Sequence, residues 1–289
     1  DIGAALKGQL VVATFNPDGS LAAATQVQTA GVLDTLYADA AANIQLGAQS
    51  TGQATHFRLW APTAQAVALQ LYPQLDQPAQ SLPMTFNDQT GVWSATRPGN
   101  LQGLYYRYRV QVYHPDSGAI ERYEVTDPYS LSLSRNSRFS QVVDLEHPSL
   151  LPTHWGEMEH GVGVANTAGG AENRVIYEAH LRDLTLSDTS GSAALNGKYG
   201  AFGESERASM AHLQALQQAG LTHLNLLPSF DIATINESAE QQVKLDDPVS
   251  RLCQLSPSMQ TSSLAEHCQS DQSIASLLSS LPGDSDQQQ

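Results

Sequence analysis

The spacing of hydrophobic residues changes along the chain, and its first part predicts a helix. Residues 31–47, GVLDTLYADAAANIQLG, carry apolar side chains three and four positions apart, which is the helical period. Asp34 and Asp39 lie on the opposite face, and Gly47 is a residue type that often ends a helix. One short apolar run at 9–15, QLVVATF, precedes it and predicts a strand. Residues 1–48 are therefore expected to form the end of a preceding β domain and a helical connector.

From residue 49 the period shortens to two. THFRLWAP, AVALQLYP and YYRYRVQVY each alternate apolar and polar residues, and the turn sequences APTAQ, NDQTG, RPGNLQG and HPDSGA divide the region. Short alternating strands at this spacing are typical of an antiparallel sandwich. We therefore expect an immunoglobulin-like β-sandwich over residues 49–150.

A Gly- and Ala-rich stretch, GVGVANTAGGAEN, predicts a linker, placed at 151–173. After it, RVIYEAHLRDL (174–184) predicts a strand, and LTHLNLLP (221–228) predicts another. The helix between them can be capped by Ser205 and ended by Gly220. A strand, a helix and a strand of these lengths form a βαβ unit, so the two strands should be parallel.

The C-terminal part, from residue 238, is rich in Ser, Gln and Asp. It predicts one short helix at about 271–281 and a disordered end, PGDSDQQQ. We assign residues 174–289 to one domain. A single βαβ unit cannot cover both faces of its own sheet, so more sheet or another surface is expected to complete it.

Composition narrows the possible partners. The formal net charge is −15, with 29 acidic and 14 basic residues among 289. Binding to nucleic acid needs clustered Lys and Arg, so a nucleic-acid partner is not expected. There is no run of 18 apolar residues, so no transmembrane segment is expected. No basic and apolar signal segment begins at Asp1, which suggests a mature chain or a fragment.

Two cysteines, Cys253 and Cys268, lie fifteen positions apart. They are either a free pair or, in an oxidising compartment, a disulfide. His154 and His160 stand near two glutamates, but their spacing does not match the usual metal-binding patterns. We therefore predict no metal site from the residues, and no nucleophile elbow, P-loop or dinucleotide fingerprint is present.

Carboxylates and aromatic side chains are the remaining candidates. Glu178 and Asp183 flank His180 at the predicted strand end, but their opposite strand parity would point them to different faces, and Asp183 pairs more simply with Arg182. Aromatic rings in the sandwich could stack on sugars, or could pack in the core or at its rim. These aromatics are Trp60, Trp93, Tyr105, Tyr113 and Tyr129, of which Trp93 and Tyr113 are the preferred stacking candidates.

Several stretches resemble one enzyme family. THFRLWAPTAQAVALQLY and YYRYRVQVYHP…YEVTDPYS resemble the start and end of the family 48 carbohydrate-binding module of starch-debranching enzymes. AATQVQTAGVLDTLY, VIYEAHLRDLT, GKYGAF, HLQALQQAGLTHLNLLPSFDIATINE and SRLCQL resemble large secreted bacterial pullulanases of the α-amylase superfamily. The resemblance covers essentially the whole chain. It implies a multidomain β plus α/β fold, in which the sandwich is followed by the first βαβ unit, strands one and two, of a (β/α)8 barrel.

The family hydrolyses α-1,6-glucosidic bonds with retention, using an Asp nucleophile, a Glu acid/base and an assisting Asp on strands four, five and seven. This chain is expected to reach only strands one and two, so no catalytic residue is assigned and the isolated chain is expected to be inactive. The resemblance implies structural support of the site by His180, Arg182, Asp183, Asn225 and Pro228. It also favours a disulfide between Cys253 and Cys268, and calcium is possible.

The implied partners are pullulan, amylopectin or limit dextrin and the remainder of the barrel. The implied location is outside the cell, or on the surface, of a Gram-negative bacterium. Two alternatives stay open: a non-catalytic α-glucan-binding module, or a subunit that complements a separately encoded barrel.

Overall fold

The computed structural model describes residues 1–151, 155, 171–227, 229–230 and 235–281. It divides the chain into two compact units, one formed by residues 1–147 with 236–289 and the other by residues 148–235. Each unit has its own architecture. The predicted linker (151–173) and the predicted disordered end fall largely outside the described residues, and the predicted domain boundaries stay predictions.

The first unit begins with a short helix and a hairpin. Helix α1 spans Ile2–Ala5, and strands β1 (Val11–Phe15) and β2 (Leu21–Gln26) pair antiparallel. All residues of both strands are exposed. The second strand was not predicted, because LAAATQ lacks an alternating pattern.

The predicted helix at 31–47 is present but shorter. It runs as α2 (Ala30–Leu33), a π-helical turn (Asp34–Ala38) and α3 (Asp39–Ala41). Gly47 does not end it, which corrects that prediction. Instead, Gly47 starts the first sandwich strand at a φ of +87°, where its missing side chain lets the Tyr129 backbone approach.

The predicted β-sandwich is confirmed. One sheet has the order β10-β9-β5-β6, with β11 also on β9, and the other has the order β3-β4-β8-β7; all pairs are antiparallel. The strands are β3 (Gly47–Ser50), β4 (Ala54–Trp60), β5 (Ala66–Tyr72), β6 (Gln80–Pro83), β7 (Thr85–Asn87), β8 (Val92–Pro98), β9 (Tyr105–His114), β10 (Ala119–Val125) and β11 (Ser140–Gln141).

Alternation explains the core of the sandwich. Phe57 and Leu59 of β4 and Tyr106 and Tyr108 of β9 are buried, as the two-residue period requires. They pack with Leu69 and other apolar residues into one cluster between the sheets. This rigid body presents the loops at its ends as possible binding surfaces.

The second unit contains the predicted parallel strands. Strand β12 (Ile176–Ala179) pairs in parallel with β13 (His223–Leu226), and between them lie helix α4 (Leu181–Leu186) and helix α5 (Ala208–Gln218). The predicted strand over 174–184 is too long, because the chain turns at His180 into α4. Gly220, at a φ of +109°, follows the end of α5 as expected.

The C-terminal segment of the first unit is helical and small. Helix α6 (Val249–Leu255) was not predicted, whereas α7 (Ile274–Ser280) confirms the helix expected at about 271–281. Val249, Cys253, Ile274 and Leu277 form its core. No helix among the described residues is long and apolar enough to cross a membrane.

Candidate functional site

Trp93 does not offer a face for sugar stacking. Its side chain is only 7% exposed, its indole Nε1 donates to the Ala61 carbonyl at 2.9 Å, and its ring lies 5.0 Å from the Phe86 ring. The prediction for Trp93 is therefore wrong. Both Val92 and Trp93 are buried at the start of β8, so the strict alternation that would have turned one of them outward fails there.

Tyr113 is half-buried near the end of β9. Its hydroxyl is buried and has no hydrogen-bond partner within the described part of the chain. Tyr113 therefore stays a candidate for ligand contact, and the pocket that it lines is treated below.

A shallow depression at the other end of β9 is the best candidate for polymer contact. Tyr105 and Tyr72 line it together with Leu75, Asn100 and Gln102, and its volume is about 470 Å³. Amide side chains beside aromatic rings are a typical arrangement for a neutral polar ligand. The sequence named Tyr105 but missed both amides, because they lie in a turn whose sequence shows only that it is a turn.

Phe139 supports this depression from the side. Its ring lies 4.8 Å from the Tyr72 ring and 6.3 Å from the Tyr105 ring, both edge to face. The Arg107 and Arg138 guanidinium groups lie 5.8 and 5.9 Å from its centroid. The tyrosine rings are therefore held in place by packing.

A buried carboxylate fixes the turn after β10. Asp127 is 4% exposed, and its Oδ2 accepts hydrogen bonds from the Tyr106 and Tyr108 hydroxyls at 2.7 and 3.2 Å. Its Oδ1 accepts from the Tyr129 backbone N–H at 2.8 Å, and its own N–H donates to Ser140 Oγ at 2.8 Å. Burial raises the pKa of Asp127, although these hydrogen bonds oppose the shift. Burial likewise raises the pKa of both tyrosines, so their hydroxyls stay protonated donors.

A buried arginine organises the second unit. The Arg207 side chain is fully buried, and its guanidinium donates to Glu204 Oε2, to Asn196 Oδ1 at 2.7 Å and to the Ser192 carbonyl at 3.0 Å. The Arg207 side chain also lowers the pKa of the Glu204 carboxyl, mainly by hydrogen bonding. The group therefore closes the loop that leads into α5.

Ser205 does not cap α5, and this corrects the prediction. Helix α5 begins after Arg207, and its first donors are met by the loop before it: Ser209 N–H donates to Asp188 Oδ2 at 2.8 Å and Ala208 N–H to Ser190 Oγ at 2.7 Å. Hydrogen bonds from Ser190 and Ser209 lower the pKa of Asp188. The capping groups lie about twenty residues away in sequence, where a local motif does not reach.

The residues expected to support a barrel site lie at the C-terminal ends of the two parallel strands. His180 is the N-cap of α4, where its Nδ1 accepts from the Asp183 N–H at 3.4 Å. Arg182 and Asp183 are 63% and 69% exposed, with 3.9 Å between their charged atoms. Asp183 lies on a helix, so the strand-parity argument about it was wrong. Asn225 stands opposite Glu178 in the parallel pair.

Pro228, the fifth of these residues, lies outside the described residues, as do His154 and His160. Across the described ranges, no group of three or more His, Cys, Asp or Glu side chains could hold a metal ion. The support roles of His180, Arg182, Asp183, Asn225 and Pro228 stay predictions.

The disulfide favoured by the resemblance is present between Cys253 and Cys268. It ties helix α6 to the 3-10 helix Ala265–Gln269 beside a core of few apolar residues.

Removing this disulfide should loosen the C-terminal segment. Closing a fifteen-residue loop is worth about 3 kcal/mol in the chain-entropy model, so reduction should raise the amide exchange of residues 249–280 strongly. Hydrogen–deuterium exchange with and without reductant measures this. A Cys253→Ala/Cys268→Ala double variant should not respond to reductant. Unchanged exchange of the wild-type segment after reduction would contradict the expectation.

Asn136 links the sandwich to the start of the same C-terminal segment. It adopts φ 55° and ψ 30°, its Oδ1 accepts from the Glu237 N–H at 2.7 Å, and its Nδ2 donates to Asn236 Oδ1 at 3.1 Å. Its own N–H donates to a Glu237 carboxylate oxygen at 3.0 Å. Side chains a hundred residues apart thus recognise each other reciprocally.

Asn136→Gly should release this contact without straining the backbone, because glycine tolerates positive φ. Losing two side-chain hydrogen bonds at roughly 0.5–1.5 kcal/mol each should raise the amide exchange of residues 236–242 on the order of tenfold. Ser137→Gly is the matched control, since Ser137 also has a positive φ of 53° but its N–H bonds only to Ser134. Equal exchange in both variants would show that the contact has no weight.

Comparison with known proteins agrees with this architecture. Three family models match in order: the Pullulanase N2 domain at 1–35, carbohydrate-binding module 48 (Isoamylase N-terminal domain) at 45–130, and the Pullulanase Ins domain at 232–289. A family 48 module flanked by pullulanase-specific domains defines a carbohydrate-active class of protein. The chain belongs to the pullulanase-type proteins of glycoside hydrolase family 13 and corresponds to an N-terminal part of them.

The individual relatives are consistent with each other. The pullulanase of Klebsiella pneumoniae is 41% identical over 278 residues, which is 96% of this chain and 25% of that protein. The chloroplastic pullulanase 1 of Arabidopsis thaliana is 35% identical over 248 residues, 85% of this chain and 25% of that protein. The crystal structure of apo pullulanase from Klebsiella pneumoniae matches with a TM-score of 0.81 over 96% of this chain and 30% of that one. The chain thus spans about a quarter of the length of these curated relatives.

Proposed function

We propose that this chain is the N-terminal, non-catalytic part of a starch-debranching enzyme that hydrolyses α-1,6-glucosidic bonds in pullulan and branched α-glucans. The observation that carries the proposal is the ordered match of three family models within one continuous alignment to 96% of the chain. The catalytic carboxylates belong to the part of the enzyme that the chain does not cover.

The glucan would contact the depression lined by Tyr72 and Tyr105. Its lining carries aromatic rings and the amides of Asn100 and Gln102 but no charged side chain, which suits a neutral polysaccharide. Leu75, 47% exposed at its edge, adds apolar surface against which a sugar ring can pack.

The remainder of a (β/α)8 barrel would complete the second unit. Strands β12 and β13 pair only with each other among the described strands, so each keeps one free edge. Ile176 on β12 and Val175 before it are 62% and 52% exposed, and Phe230 beyond β13 is 77% exposed. Exposed apolar groups beside unpaired strand edges support a sheet that continues into further strands.

Release of reducing sugar from pullulan tests this proposal. The chain alone should release none, and its mixture with the rest of the Klebsiella pneumoniae pullulanase should release more than either part alone. Ile176→Asp should abolish that gain, because it places a charge on the proposed barrel contact. Leu21→Asp, at a similarly exposed apolar residue of the hairpin, should retain it. Turnover by the chain alone would contradict the proposal.

A location outside the cell or on the surface of a Gram-negative bacterium is part of the proposal. The disulfide supports it, since such bonds persist in oxidising compartments. Calcium is proposed only for the complete enzyme, because the described residues offer it no carboxylate cluster. Fractionation of cells that express the enzyme tests the location, and recovery in the cytoplasm would contradict it.

A further inference from the structure

A second, smaller pocket lies where the N-terminal segment meets the sandwich. Its volume is about 250 Å³, and it is formed by residues 6–10, by residues 26–29 and by the end of β9. The residues that matter for its chemistry are Leu6, Gln9, Gln26, Thr29, Thr63 and Tyr113. It lies away from the depression described above, because Tyr105 and Tyr113 are at opposite ends of β9, about 26 Å apart at strand spacing.

The walls of this pocket are held in place by the fold. Gln65 Nε2 donates to the Lys7 carbonyl at 3.0 Å, which ties the N-terminal segment to the sandwich. The Val27 N–H donates to the Leu10 carbonyl at 3.0 Å, which joins the two segments to each other. Leu6 is buried with 6% exposure. The pocket therefore exists before any ligand arrives.

The polar groups around the pocket are not engaged elsewhere. The side chains of Gln9, Gln26, Thr29 and Thr63 make no hydrogen bond with any other residue in the described part of the chain, and neither does the Tyr113 hydroxyl. By contrast, the neighbouring Gln65 amide is bonded. Five uncommitted donor and acceptor groups around one small space are the chemical basis of the inference.

The lining also selects the charge of the ligand. No charged residue lines the pocket, although the chain has a net charge of −15. An ionic ligand would lose its hydration without gaining a counter-charge. Amides and hydroxyls both donate and accept hydrogen bonds, as the hydroxyl groups of a sugar do. The Tyr113 ring and Leu6 add apolar surface for the carbon skeleton of a sugar ring.

We propose that this pocket binds one neutral polyhydroxylated ring of hexose size. Its volume lies below the roughly 300–1,000 Å³ of sites that take drug-sized ligands, which limits it to a single ring. The choice of glucose among the hexoses rests on the proposed function. The free sugar and the end of an α-glucan chain offer the same chemistry to the pocket.

Titration of the ¹⁵N-labelled chain with D-glucose and with maltotriose tests this inference by NMR. Glucose should shift the amide resonances of residues 6–10 and 26–29, and maltotriose should do so as well if a chain end can enter. D-glucuronate, the charged counterpart of glucose, should bind on the order of tenfold more weakly. Thr63→Val and Gln26→Leu should each weaken glucose binding on the order of tenfold, because each removes a hydrogen bond to the ligand.

Gln28→Leu is the matched control, since Gln28 is an exposed amide two positions from Gln26 that does not line the pocket. It should bind glucose like the wild type. Shifts with galactose or mannose but not with glucose would support the hexose pocket and remove its link to α-glucan. An absence of shifts with every neutral hexose, equal binding of glucuronate, or equal loss in the Gln28 variant would overturn the inference.

Discussion

Replacing Asp127 by alanine should lower the free energy of unfolding of the sandwich by about 3 kcal/mol or more. The carboxylate accepts hydrogen bonds from the hydroxyls of Tyr106 and Tyr108, and both side chains are fully buried. Removing it leaves two buried donors unsatisfied, at about 1–3 kcal/mol each. It also frees the turn at Tyr129, whose N–H bonds to the same carboxylate. Urea denaturation followed by tryptophan fluorescence measures the change.

Asp76→Ala is the control, because Asp76 is exposed in the β5–β6 loop of the same sandwich. It should unfold within about 0.5 kcal/mol of the wild type. A loss at Asp127 as small as that at Asp76 would contradict the account of the network.

The same carboxylate should make stability depend on pH in a definite direction. Burial raises the pKa of Asp127 in the folded state above its usual value of 3.8, so the folded state binds this proton more tightly than the unfolded state. Its contribution is therefore fully present below pH 3.8 and is lost as the pH rises through the raised folded pKa. In Asp127→Asn that loss is absent. The stability of the wild type relative to this variant should therefore fall as the pH rises through this window.

Replacing Arg207 by methionine should disrupt the loop before α5 by about 3 kcal/mol. Methionine fills a similar volume but leaves the Ser192 carbonyl, Asn196 and Glu204 without their buried donor. Amide exchange of residues 188–209 should rise accordingly, and α5 should fray at its start.

Gly191 gives a second test of the same site that keeps the arginine. A side-chain carbon on Gly191 would lie 2.5 Å from the Arg207 guanidinium carbon, so Gly191→Ala must displace the loop or the buried guanidinium. We expect a cost of about 1–3 kcal/mol from this overpacking. Gly203→Ala is the matched control, because a side-chain carbon there meets nothing within 4 Å. Equal exchange in both alanine variants would contradict the close packing around Arg207.

The sequence predicted the sandwich because its signal is local and repeated. Alternation through Phe57, Leu59, Tyr106 and Tyr108 allows only one face of each strand to be buried, and the structure buries that face. The parallel strands followed from the same logic, since a strand, a helix and a strand restrict the topology.

The features that the sequence missed depend on groups distant in the chain. The cap of α5 comes from Asp188 and Ser190, so the nearby Ser205 was a misleading choice. Asn136 meets Glu237 across a hundred positions, and no pattern in either stretch indicates it. His180 was placed in a strand because HLRDL is too short for periodicity to separate a strand from a helix.

The candidate site was predicted only in part for a related reason. Tyr105 and Tyr113 were chosen as aromatic residues, but the amides beside them come from turns and from the N-terminal segment. Trp93 was a plausible binding residue by type, and only its position over Ala61 and Phe86 shows that it is a core residue.

Affinity electrophoresis in a gel containing amylopectin is the most direct test of the claim that this chain contacts α-glucan through the Tyr105 depression. The account predicts that the wild type is retarded relative to a glucan-free gel. Tyr129→Ala, at an exposed tyrosine that does not line the depression, should be retarded equally, whereas Tyr105→Ala should not be retarded. Equal mobility of the wild type with and without amylopectin would contradict the account.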